Sequence, residues 1–134
     1  MSNKALVPHL VVNDGEQAIA FYEQAFGARL EAKHAADDGK RLMHAHLDLD
    51  GQALYLHDEF PEFGGSGASA PSRLGGASCT LHLEVDDADT AWARALAAGA
   101  EATMPLDNQF WGARYGQLRD PFGHMWSIGG PLKD

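Results

Sequence analysis

Seven histidines stand among 134 residues, and five of them fall on strand faces that carry other polar groups. Counting alternate positions along each apolar run sorts them. His9 lies with Val7 and Val11, opposite Pro8, Leu10 and Val12. His44 and His46 lie with Leu42 and Asp48, opposite Met43, Ala45, Leu47 and Leu49. His57 lies with Ala53 and Tyr55, and His82 with Thr80 and Glu84, opposite Leu81, Leu83 and Val85. The apolar faces must pack on helices, so the mixed faces meet solvent or line a polar cavity. Imidazoles on neighbouring strands can bind zinc, nickel or iron, with a carboxylate such as Glu84 completing the set. They can equally act as general acids or bases, or satisfy their rings by hydrogen bonds in a wet cavity. His124 follows a turn and is expected to be exposed.

The other chemistry-bearing residues cluster near residues 110–128. Asp120-Pro121-Phe122-Gly123 reads as a turn, with Pro121 presetting φ and Gly123 closing it, between strands that form a hairpin. Phe110 and Trp111 precede it in a Gly-rich segment, placed either to line a ligand pocket or to plug one end of the core. Arg114 and Arg119 are anion hooks or surface ion-pair partners. Cys79, the only cysteine, lies in an apolar run and reads as a core residue. No glycine-rich phosphate loop joins a strand to a helix. Gly65-Ser66-Gly67 sits in a flexible stretch and is no nucleophile elbow.

Composition bounds the function. A net charge of −9 and no basic stripe argue against a nucleic-acid partner. The absence of a long apolar run argues against a membrane span or a signal peptide, and a single cysteine suits a reducing compartment, so a cytoplasmic protein is expected.

The elements that position these residues occur twice. Ala5 to Val12 reads as a strand, Asp14 as the N-cap of a helix to about Phe26, and Gly27 as its left-handed C-cap. Strands follow at about 29–34, 41–49 and 53–57, with turns at Asp37-Asp38-Gly39 and Asp50-Gly51. Residues 58–77 are polar and Gly/Ser-rich. They read as a connection, either bare or with Phe60 and Phe63 folding as a lid. Then the pattern restarts: His9 meets His82, Val12 meets Val85 and Asp14 meets Asp87 at one constant offset. Asp87 caps a second helix with Ala88, Ala91, Trp92, Ala95 and Leu96 as its apolar stripe. Two strand–helix–strand–strand–strand modules, at about 5–57 and 78–129, thus fill one domain spanning 1–134. A pocket is expected between the halves.

The repeat, with Ala18-Ile19-Ala20-Phe21-Tyr22, His44-Ala45-His46-Leu47 and Phe110-Trp111-Gly112 through Asp120-Pro121-Phe122-Gly123-His124, resembles the vicinal oxygen chelate superfamily of glyoxalase I, bleomycin-resistance proteins and extradiol dioxygenases, and in particular its PhnB-like branch. The resemblance implies an α+β fold of two tandem βαβββ modules, forming curved half-barrel sheets around a cleft, and a homodimer. It also implies metal-ligand positions on the first and last strands of each module. These fall on Val7, Tyr55, Thr80 and Ser127, none of them His or Glu. His9, His57 and His82 stand two residues beyond three of them, about 6–7 Å along each strand. The expected function is therefore a small-molecule-binding protein with no resident cofactor. It would sequester an antibiotic or an amphipathic or cationic metabolite through His9, Tyr55, His57, His82, Phe110, Trp111 and Arg114. The alternative is a metal-dependent lyase, isomerase or dioxygenase, with a divalent metal such as zinc, nickel or iron on His9, His82 and Glu84 or His57. A third reading gives the cleft no catalytic task and assigns activity to the dimer surface.

Overall fold

The computed structural model describes residues 3–63 and 69–134; Gly65-Ser66-Gly67 lies outside the described residues. Chain order gives β1 (His9–Val12), α1 (Gly15–Phe26), β2 (Arg29–Ala35), β3 (Leu42–Leu49) and β4 (Gln52–Asp58). A 3-10 turn (Pro61–Phe63) and a short helix, α2 (Pro71–Leu74), follow. The series then repeats as β5 (Thr80–Glu84), α3 (Ala88–Ala98), β6 (Glu101–Asn108), β7 (Arg114–Arg119) and β8 (Met125–Gly130). The strands form two four-stranded sheets of identical topology, β1-β4-β3-β2 and β5-β8-β7-β6. In each sheet the first and last strands of the module run parallel and the other pairs antiparallel. The fold is α+β, two tandem βαβββ modules, and the sheets do not close into a barrel.

Local chemistry explains the repeat. The Asp14 side chain accepts from Gln17 N at 3.1 Å, and Asp87 accepts from Thr90 N at 3.1 Å, so each helix opens on an equivalent capped turn. Gly27 ends α1 at φ 71°, where a side chain would be strained. In module one, buried Asp58 accepts from Gly15 N (2.8 Å) and Leu42 N (2.7 Å), clamping the end of β4 to the start of α1 and of β3.

The modules join through their helices and the 120–124 turn. Tyr22, fully buried in α1, donates its hydroxyl to Asp120 at 2.5 Å, and Trp126 Nε1 donates to the same carboxylate at 2.9 Å. Asp120 also accepts from Phe122 N and His124 N, which closes its own turn. Phe21, Phe26 and Phe122 pack around this bond. Arg94 of α3 donates to the carbonyl of Gln24 in α1 at 2.7 Å.

Several expectations need correction. β2 and β3 slip register between His34 and Ala35, so Leu42 and Met43 face a single step of β2. That bulge turns Leu42 into the core and leaves Met43 exposed, the reverse of simple alternation. Cys79 is exposed, because it precedes β5 and lies outside the ladder. His124 is half-buried and its Nε2 lies 2.8 Å from the carbonyl of Val11, so it bridges the modules. The described parts of the 58–77 connection carry a 3-10 turn at Pro61–Phe63 and the short helix α2. Arg41 lies over the Phe60 ring at 4.4 Å and pairs with Asp38 and Glu62. On α3, Ala88 and Ala95 are buried while Leu96 stays exposed.

Candidate ligand-binding faces

Two separate side-chain clusters emerge, one on each sheet. On the first sheet, the β1–β4 register sets His9 beside Tyr55 and Val11 beside His57. The His9 ring meets His57 at 5.0 Å, Tyr55 at 5.8 Å and His44 at 5.9 Å, each edge-on. Tyr55 is the hub, 4.8 Å from His44 and 5.1 Å from His46, and His34 of β2 stacks on His44 at 6.3 Å. Desolvation, followed by the fields of His57 and His44, holds the His9 pKa below the ordinary 6.5. His57 Nδ1 lies 2.7 Å from the Asp58 carbonyl oxygen. A carbonyl only accepts, so Nδ1 carries the proton and Nε2 of the neutral ring is an acceptor.

On the second sheet, the registers lay out two rows across β5, β8 and β7. One row is His82, Ser127 and Gln117, and the other is Glu84, Gly129 and Tyr115. His82 Nδ1 is 2.7 Å from Ser127 Oγ, and Nε2 is 2.8 Å from Glu84 Oε1. A carboxylate only accepts, so Nε2 donates to Glu84, while Nδ1 is held against the buried Ser127 hydroxyl. Gly129 makes this pose fit: a Cβ there would stand 2.8 Å from His82 Cε1. The ring lies beside Tyr115, centroids 5.8 Å apart and planes within 21°. Trp111 meets Tyr115 at 5.6 Å and Phe110 meets Trp111 at 5.1 Å. Phe110 is 96% exposed and Trp111 52%, so neither plugs the core.

Arg114 stands apart from this strip. It alternates with Tyr115 to the opposite face, where it donates to both carboxylate oxygens of Asp89 at 2.8 and 2.9 Å and is only 14% exposed. His82 and Glu84 meet, but His9 belongs to the other sheet. Among the described residues no three His, Cys, Asp or Glu side chains converge as a metal site. Within one chain, the trio His9, His82 and Glu84 therefore does not fit a chelate. His82 borders a cavity of about 350 Å³ with Leu6, Leu54, Leu81 and Trp126. His9 borders another of about 270 Å³ with Val11, Cys79 and His124. Pro8 and Leu81 line both. Sequence reasoning misses Tyr115 and Gly129, and it names Ser127 only as a position where the resemblance puts a metal ligand. Strand alternation through 114–119 places Tyr115 opposite Arg114, a signal that was there to read.

A sequence profile of the glyoxalase/bleomycin resistance protein/dioxygenase superfamily matches residues 5–128. The chain belongs to that superfamily. An uncharacterized protein of Mycobacterium tuberculosis (strain H37Rv) is 45% identical over 130 residues, covering 97% of this chain and 76% of that protein. Among solved structures, TioX from Micromonospora sp. ML1 superposes with a TM-score of 0.74 at 29% identity, covering 97% of this chain and 100% of TioX. A Pseudomonas aeruginosa protein superposes at 0.75 with 28% identity, covering 98% of this chain and all of its own. No helix among the described residues is long and apolar enough to cross a membrane.

Proposed function

We propose that this chain is a small-molecule-binding protein of the glyoxalase/bleomycin-resistance type, in its PhnB-like branch, which sequesters an amphipathic metabolite or antibiotic without chemistry. The observation that carries the reading is the state of the two sheet faces. α1 packs on α3, so the imidazole face around Tyr55 and the aromatic face around Tyr115 are not pressed against each other. Both keep rings at least partly exposed. Aromatic side chains packed edge to face on one another, yet left open, are what lines a ligand site. The positions where the resemblance puts metal ligands hold Val7, Tyr55, Thr80 and Ser127, which favours binding over metal-assisted catalysis.

The functional unit in this reading is a homodimer. Leu81 and Leu83 remain half-exposed on the face of β5 opposite His82, and Leu6 and Leu96 are exposed. A second copy laid across module two would cover this apolar surface. The single cysteine suits a reducing cytoplasm. Light scattering behind size exclusion tests the dimer: the expected mass is twice the 14.4 kDa of the chain. A thermal-shift screen of planar and amphipathic compounds tests the binding. At least one should raise the midpoint in a concentration-dependent way; a uniformly flat screen contradicts the reading.

A further inference from the structure

The second sheet face carries a finer assignment, which rests on the binding role proposed above. His82, Tyr115, Trp111 and Phe110 form one continuous strip of rings, with successive centroids 5.8, 5.6 and 5.1 Å apart. Tyr115 and Trp111 are inclined by 69°, so they make two walls of a corner. The opposite end of the strip is Glu84, in the same row as Tyr115 with only Gly129 between them. Its carboxylate is held by His82 Nε2 yet remains 71% exposed. His82 is in turn fixed from below by Ser127.

The two arginines of β7, the strand that carries Tyr115, are already paired. Arg114 is bound to Asp89 on the other side of β7, and Arg119 pairs with Glu101 at 3.2 Å. The strip thus offers ring faces, which carry negative electrostatic potential, next to a carboxylate that no arginine or lysine among the described residues neutralises. An anion would meet repulsion from Glu84, and a neutral ring would gain stacking alone. We infer that the Glu84–His82–Tyr115–Trp111 corner is a subsite for an organic cation, an alkylated ammonium carried on or beside an aromatic group. The ammonium rests on the open side of the corner that Tyr115 and Trp111 make, with the Glu84 carboxylate along the strip as its counter-charge. Its aromatic part lies along Trp111 and Phe110.

Three benzyl compounds of similar size separate the terms: benzyltrimethylammonium, benzyl alcohol and benzenesulfonate. Each is titrated into 15N-labelled full-length protein, following the Trp111 indole and the Glu84 and Tyr115 amides. Benzyltrimethylammonium should saturate these shifts in the millimolar range and bind roughly fivefold or more tightly than benzyl alcohol, with benzenesulfonate weakest. Glu84→Gln keeps an acceptor for His82 on an exposed side chain and should weaken only the ammonium, by roughly two- to fivefold. Trp111→Ala should weaken the ammonium and the alcohol together. Equal binding of all three compounds at this corner overturns the cation assignment and leaves the binding role standing. Ammonium binding unchanged in Glu84→Gln also overturns the assignment. No saturation by any of them overturns the subsite, while the wider role then stands or falls on the thermal-shift screen.

Discussion

Asp120 is where the two modules can be pulled apart energetically. Its buried carboxylate accepts from the Tyr22 hydroxyl of module one, from Trp126 Nε1, and from the backbone amides of Phe122 and His124. Asp120→Ala leaves two buried side-chain donors without an acceptor, at roughly 1–3 kcal/mol each, and opens the turn they secure. We expect a total loss of about 3–5 kcal/mol, a large part of the stability of a domain this size. Tyr22→Phe removes one of the four donors and leaves the carboxylate still satisfied by three, so its cost should be about 1–2 kcal/mol. Urea unfolding followed by circular dichroism measures both. The pair also has a pH signature. Burial, and then the Asp120 charge, raise the Tyr22 pKa well above 10.0. The unfolded phenol therefore ionises first, so stability is intact below pH 10.0 and falls as pH rises beyond it. Tyr22→Phe should remove that alkaline slope. A loss below about 1 kcal/mol in Asp120→Ala, or an alkaline slope that survives Tyr22→Phe, would refute the view that this carboxylate ties the modules.

Further outcomes follow from other contacts. The His9 pKa is depressed below 6.5 in the folded chain, so the unfolded chain binds the proton first and stability falls as pH drops below 6.5; His9→Asn should flatten that acid limb in a denaturation series. Gly129→Ala would place a Cβ against His82 Cε1; the exposed ring should swing away, breaking its bond to Ser127, which histidine side-chain NMR would register with less than about 2 kcal/mol lost in stability. Asp58→Ala strips two backbone donors, Gly15 N and Leu42 N, of their buried acceptor and should cost roughly 2–4 kcal/mol by the same unfolding measurement.

The repeat was legible because its signals are local. Asp14 and Asp87 cap, Gly27 ends a helix, and alternation marks the buried faces of Leu47, Leu56 and Ile128. What escaped was set by pairing between distant segments. The Leu42–Met43 bulge depends on how β3 meets β2, which no count along β3 alone can see. Arg114 reads as an anion hook or an ion-pair partner until α3 brings Asp89 to it, and His124 reads as exposed until Val11 accepts from it. The two clusters show both sides of this. His9, Tyr55 and His57 are brought together as strand alternation requires. The symmetric partner His82 belongs instead with Ser127, Glu84 and Tyr115, because each module's first strand pairs with its own last strand and not with the other module.

The central claim is that the open sheet faces hold a small organic ligand. Its most direct test is chemical-shift mapping of the 15N-labelled protein against a fragment library containing aromatic amines. The account predicts saturable shifts concentrated on Trp111, Tyr115, His82 and Glu84, with or without a second set at His9, Tyr55 and His57. Saturable shifts confined to the helices, or none on either face at tens of millimolar fragment, would contradict it.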